Sequence, residues 1–250
     1  MQVYLTLVRR ELGGYFSSLT GYIIVTAVLL LLGLSFTDML VKLNDQPTDA
    51  PITEEFFITL YFWIILLLTA PIMTMRSFAS EKFAGTYETL MTSPVGDVQV
   101  VMAKFTGALS FFAVTWLPLL VYLLIVRRYS NDPAILDWRV LMNTFFGILL
   151  IGSLFLSLGC LASAVTSSQI VAATISYGLG LGLFLLSLRA LIAAPPTGWT
   201  VKVFNYISMT EHLRDFARGV MDTRHLVYYL SLTAFFLFLT VKVVESRRWK

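Results

Sequence analysis

The chain has 250 residues, 57% of them hydrophobic and only 13% charged, with a mean hydropathy of +0.78. A soluble domain carries roughly 25% charged residues, so 18 bases and 15 acids cannot coat a water-soluble particle of this size. A soluble enzyme and a disordered chain are excluded, and a scattered net charge of +3 gives no footprint for nucleic acid, which leaves an integral membrane protein whose first partner is the lipid bilayer.

Arg9, Arg10 and Glu11 precede an uncharged run from Leu12 to Thr37. A signal-peptide core is only about 7–15 residues, so this run is expected to remain in the membrane. A hydrocarbon core about 30 Å thick needs about 20 apolar residues of helix. Charge-free stretches of that length predict crossings at 21–41, 56–75, 104–126, 140–163, 170–189 and 225–243. The stretch from Val140 to Leu188 is too long for one crossing, and the polar patch Ser163–Gln169 divides it into two. The last crossing is short, with Lys242 placed to snorkel to the interface. The expected fold is an all-α integral membrane protein of six transmembrane helices in one domain, with a loop at 76–98 and a longer one at 190–224.

On the fifth crossing, Ala172, Ser176 and Gly180 form a stripe of small residues that lets helices approach closely. On spacing alone that stripe serves ordinary packing within the subunit. In the 190–224 loop, Pro195-Pro196 makes a turn and Ser208 with Glu211 fits a capping box. Leu213, Phe216, Ala217 and Val220 then face away from Arg214, Asp215, Arg218 and Asp222. On these residues alone such a helix anchors the loop at the interface. An even number of crossings puts both termini on one side, but the bases divide nine to each side, so the positive-inside rule does not choose.

No crossing has an ionisable residue near its centre, and His212 and His225 flank the last one. A proton-coupled carrier, a haem subunit and an intramembrane protease all need such residues within the spans. Cys160 stands alone, so no disulfide or cysteine metal cluster is expected. No G-x-x-x-x-G-K-[ST] occurs, so the chain has no P-loop of its own. The sequence therefore predicts no catalytic residue, metal site or bound cofactor, and any energy for work must come from outside the chain.

The 76–98 loop is the candidate for receiving it. Phe83, Tyr87, Leu90 and Met91 recur at helical spacing, with Glu81, Lys82 and Glu88 off that stripe. Gly85 permits a bend, Thr86 can cap a second short helix, and Pro94 ends it. On these residues alone the loop is an interfacial connector or a docking helix. Glu81-Lys82-x-x-Gly85-Thr86-x-Glu88-x-Leu90-x-x-x-Pro94 closely resembles the signature of ABC-2-type transporter permeases. Arg76 before it and Lys104-Phe105 after it agree, as do Arg10-Glu11-Leu12, Tyr15-Phe16-Ser17-Ser18 and Gly21-Tyr22-Ile23. So does the segment from Glu211 through Phe216, Gly219 and Asp222 to Tyr228-Tyr229. The likeness is greatest to the gliding-motility-associated branch.

The resemblance implies a half-transporter of an ATP-driven exporter, with ATP and Mg bound by separate ABC ATPase subunits. It implies a coupling helix carrying Arg76, Glu81, Lys82, Gly85, Thr86, Glu88, Leu90 and Pro94. It further implies an N-terminal elbow helix over 1–19 with Arg10, Glu11 and Leu12, and an outer gate helix with His212, Phe216, Gly219 and Asp222. A second permease subunit would pack on Ala172, Ser176 and Gly180. Both termini would be cytoplasmic, in a bacterial inner membrane. The competing reading is a membrane scaffold that uses the same lever to move or regulate an extracytoplasmic partner. A secondary carrier is disfavoured by the uncharged midplane.

Overall fold

A computed structural model describes residues 2–45, 53–54, 59–87, 95–129, 137–192 and 206–248, which form helices and no strand. The chain enters through α1 (Gln2–Phe16) and turns at Ser17-Ser18 into α2 (Leu19–Asp45). The Ser18 hydroxyl makes that corner, accepting from Gly21 N at 3.0 Å and donating to Tyr15 O at 3.1 Å, as an N-cap serine does. Then come α3 (Leu60–Thr74), the short α4 (Ala79–Phe83) and α5 (Asp97–Tyr129). They are followed by α6 (Trp138–Val165), α7 (Gln169–Ile192), α8 (Met209–Ala217) and α9 (Thr223–Arg248).

Six helical stretches are long and apolar enough to cross a membrane: Leu19–Lys42, Leu60–Phe83, Asp97–Tyr129, Trp138–Val165, Gln169–Leu188 and Thr223–Ser246. Up-and-down threading gives the bundle two ends. The terminal face carries α1, α4 and the junction of α6 with α7; the far face carries residues 53–54 and α8.

The crossings are not equivalent. The second and fourth have 72% and 78% of their most apolar window buried inside the protein, against 28–39% for the other four. Helix α6 is thus the axis, packed by α3, α5, α7, α8 and α9. Small residues let it serve so many neighbours: a Cβ on Gly159 would overlap the Thr74 side chain of α3. Aromatic rings fill the wider gaps, with Phe62 of α3 against Trp116 of α5 at 5.3 Å and Trp63 against Phe184 of α7 at 4.7 Å. The outer four crossings keep apolar faces exposed, which hydrocarbon solvates without penalty.

Candidate functional site

The third crossing begins earlier than its apolar run suggests. Helix α5 starts at Asp97, so Lys104 lies about two turns inside it and is only 3% exposed. A lysine so buried needs partners. Its Nζ lies 3.1 Å from Glu11 Oε1 of α1 and 2.8 Å from Glu81 Oε1 of α4. Arg10 closes the cluster, with Nη2 3.0 Å from Glu11 Oε1 and 3.5 Å from Glu81 Oε1. Gly107 allows the approach of α1 to α5, since a Cβ there would stand 2.9 Å from Glu11 Cβ. Tyr15 adds a second tie from α1, donating to Met73 O at 2.9 Å and stacking on Phe111 at 4.8 Å, while Leu12 packs on the core. One lysine therefore joins three elements from distant parts of the chain.

Helix α4 has five residues, too few to hold itself by propensity. It is held from outside. Ser163 Oγ, at the end of α6, accepts from the N–H groups of Phe78 and Ala79 at 3.0 Å each and donates to Met75 O at 3.1 Å. Lys82 Nζ donates to Ala164 O and stands 5.4 Å from the Tyr87 ring centroid. Gly85 follows the helix with φ +71°, a left-handed conformation that glycine adopts without strain. The Thr86 hydroxyl donates back to Glu81 O at 3.4 Å. Arg76 reaches across to Thr20 Oγ1 at 3.0 Å. Phe83 is 82% exposed, whereas Tyr87 is half-buried. Glu88, Leu90, Met91 and Pro94 lie outside the described residues.

The far face repeats the arrangement with signs reversed. Glu54 is 4% exposed and accepts from Arg218 Nε at 2.7 Å and Nη2 at 2.8 Å, with Arg214 Nε at 3.3 Å. Thr53 Oγ1 donates to Ala217 O at 2.6 Å. Asn143 of α6 donates to Phe216 O at 3.1 Å and to Val220 O, just beyond α8, at 3.3 Å, tying the end of that helix to α6. Gly219, at φ +82°, closes that end: Val220 N bonds to Asp215 O and Gly219 N to Phe216 O, the paired bonds of a Schellman stop.

His212 is 1% exposed, with Nδ1 3.2 Å from the Tyr229 hydroxyl and its ring 3.9 Å from that of His225. Burial and the neighbouring His225 push its pKa down from 6.5 to about 3. Asp222 sits on the exposed rim, its carboxyl held below the usual range by the Arg224 backbone N–H.

Two local expectations for α8 are corrected here. Ser208 stands at its N-cap, but its hydroxyl pairs with Thr210 and Glu211 is taken by Arg214 at 3.0 Å, so no capping box forms. The Met209 N–H goes instead to Ser187 of α7 at 2.7 Å. Val220 is 52% exposed, because the Schellman turn ends the helix before it can join the apolar face of Leu213, Phe216 and Ala217.

A sequence model of the ABC-2 family transporter proteins matches residues 14–245. The chain belongs to that family. No curated protein matches it significantly. As an ABC-2 chain it is a multi-pass membrane transport subunit, not itself catalytic.

In this ABC-2 subunit the small-residue stripe of the fifth crossing is turned inward. Ala172 and Ser176 are 1% and 3% exposed, and a Cβ on Gly180 would stand 3.1 Å from the Phe155 ring of α6. The stripe assigned to a second permease subunit is thus covered by this chain's own α3 and α6. Gly178 and Gly182, on the other side of α7, have open space around them. Among the described residues no group of three or more His, Cys, Asp or Glu side chains is placed to hold a metal ion. Sequence reasoning missed Lys104 as a hub and missed Glu54 and Asn143 altogether; the only available signal was that each is polar beside an apolar run.

Proposed function

We propose that this chain is the permease subunit of an ATP-driven ABC-2 exporter, and that α4 and its flanks receive the stroke of a separate ATPase subunit that binds ATP and Mg. The observation that carries the reading is the Lys104 joint. A load on α4 reaches Glu81, and through Lys104 it reaches α5 and α1 together. Ser163 and Lys82 bring the same load to the end of α6, the axis of the bundle. Exposed Phe83 offers the partner an aromatic anchor on the same short helix. No chemistry is required at the loop, only contacts that differ between two partner states.

In this reading the terminal face is cytoplasmic, α1 is the elbow helix, and the membrane is a bacterial inner membrane. Helix α8 then borders the exit, and a second permease subunit completes the pathway. The test is co-purification with an ABC ATPase encoded beside the gene, and ATP hydrolysis stimulated by the permease, before and after Glu81→Lys and Gly85→Pro. Both changes are expected to abolish complex formation and stimulation; survival of both after each change overturns the coupling assignment. Transport into inverted vesicles across candidate cargoes separates export from the partner-moving role of the gliding-motility-associated branch.

A further inference from the structure

Glu81 and Lys82 are the charges that the sequence offers a docking partner, yet the structure turns both inward. Glu81 Oε1 lies 2.8 Å from Lys104 Nζ and 3.5 Å from Arg10 Nη2, its Oε2 is shut off from solvent, and Lys82 Nζ donates to Ala164 O. What α4 presents outward is the tip that follows them. Phe83, Ala84, Gly85 and Thr86 are exposed in an unbroken run, and none of the four bears a charge. The Thr86 hydroxyl donates to Glu81 O, and Gly85 has open space where a Cβ would stand, so a partner's backbone can approach it closely. Glu81 and Lys82, next to the tip in the chain, place it at the level of charged side chains, outside the hydrocarbon.

A second uncharged run lies beside this tip. Helix α6 ends at Val165, one residue after the carbonyl that holds Lys82, and α7 begins at Gln169. Thr166, Ser167 and Ser168 make the turn between them, with the Thr166 hydroxyl accepting from Ser168 N at 3.1 Å. Val165 and Ser167 are exposed, and the turn has no charged residue in it or next to it. Two ties fix the turn to α4: Lys82 on Ala164 O, and Ser163 on the N–H groups of Phe78 and Ala79. Tip and turn therefore hold one relative position and form one surface. An exposed aromatic ring set among uncharged neighbours is the composition of an interface core, where charged residues are depleted and aromatic anchors fill pockets.

We propose that the ATPase subunit grips this neutral surface, with Phe83 seated in an apolar, uncharged cleft of the partner and the α6–α7 turn at Val165–Ser167 as the second part of the contact, while Glu81 and Lys82 bind only the permease. The inference rests on the ATPase reading and deepens it, since it names the chemistry of the partner's cleft and a second element that the stroke enters directly.

Cys160 is the one cysteine of the chain and is buried, so a single introduced thiol can be followed in the full-length protein. Ala84→Cys, Ser167→Cys and, on the far face, Tyr129→Cys are placed in nanodiscs and labelled with a charged maleimide, with and without the ABC ATPase encoded beside the gene. All three positions are exposed and should label readily without ATPase. Bound ATPase should slow labelling roughly tenfold at 84 and 167 and leave 129 unchanged. Retention of the ATPase should change less than about twofold between about 0.1 and 1 M NaCl, a range over which an exposed ionic contact is screened. Phe83→Asp should release the ATPase, while the Tm of the permease alone stays at the wild-type value because the side chain is exposed. Loss of the complex in high salt, or binding untouched by Phe83→Asp, overturns the neutral grip. Labelling at 167 that ignores bound ATPase overturns the second contact. Thiols at 84 and 167 that the reagent cannot reach before ATPase is added would put the surface in lipid and overturn the proposal whole. A wild-type permease that binds no ATPase at any salt overturns the ATPase reading instead.

Discussion

On the terminal face a buried cation, Lys104, is held by acids from two different elements, α1 and α4; on the far face a buried anion, Glu54, is held by arginines one turn apart, Arg214 on α8 and Arg218 at its C-cap. The first arrangement ties three elements through one atom, so none moves alone. The second ties two, and its arginines are 34% and 51% exposed, free to turn to water if Glu54 lets go. The contrast separates a joint from a latch. A joint passes displacement on, whereas a latch decides only whether α8 stays down.

The largest effect is expected at the joint. Lys104→Met leaves Glu11 and Glu81 facing one another with Arg10, among the described residues, as the cation still paired to both. Removing one partner of a buried ion pair costs about 3–5 kcal/mol, to be read as a fall in Tm of the detergent-solubilised protein. Adding Glu11→Gln and Glu81→Gln to Lys104→Met should recover part of that loss, since the uncompensated charges go with it. A triple variant no more stable than the single one would show that the carboxylates do not act through Lys104.

Glu54→Gln comes second. It removes the anion but keeps the size, and the half-exposed arginines find water, so the expected loss is about 1–2 kcal/mol. The loss should be local: hydrogen exchange over 209–220 should rise while α5 and α6 stay protected. A loss equal to that of Lys104→Met would erase the distinction between joint and latch.

Third, the latch should weaken in acid. His212 faces His225, Tyr228 and Tyr229 of α9, with Asp222 near by, and stays neutral in the folded protein down to a pKa of about 3, while the unfolded chain protonates it near 6.5. Between those values the unfolded state binds the extra proton, so stability is full above pH 6.5 and falls as pH drops. The slope is at most about 1.4 kcal/mol per pH unit. Carboxylates titrate mainly below about pH 5, so a Tm series from pH 7 to 5 keeps most of their contribution out, and the variant singles out His212 from its neighbour His225. His212→Gln should flatten that series; an unchanged slope would assign the pH response to other groups.

How much of this was legible follows from the range of the interactions. Six crossings are readable because a bilayer imposes a length on every charge-free run. The division of the long run is readable because the polar patch Ser163–Gln169 interrupts it, and within that patch α6 ends at Val165 and α7 begins at Gln169. Gly85 is readable as a bend because a left-handed turn demands little beyond a missing Cβ, whereas the stop at Gly219 is not, and the sequence pattern carries the apolar face past it to Val220. The joint is not, because Lys104 finds Glu11 93 positions away and Glu81 23 away. Glu54 meets Arg218 across 164 positions. From sequence these residues are charges in loops, and only the packing of α1 and α8 onto the bundle decides that they are buried. The same holds for Ala172, Ser176 and Gly180, whose spacing marks a close contact without saying which helix makes it.

The smallest expected effect probes how α4 is seated. Ser163→Ala removes the hydroxyl that receives the N–H groups of Phe78 and Ala79, a cap supplied by a different helix. Losing an N-cap hydroxyl costs about 1 kcal/mol, and here the Lys104 pair and the Lys82 bond to Ala164 still hold α4. Global stability should therefore fall little, while hydrogen exchange over 77–83 quickens and the rest of the bundle keeps its protection. That outcome would place the rigidity of α4 in its cap and its connection to the bundle in Lys104. If Ser163→Ala instead cost as much as Lys104→Met, the seat of α4 on α6 would be the principal tie. The terminal face would then be a latch like the far one, and α1 would drop out of the path by which a load on α4 reaches the crossings.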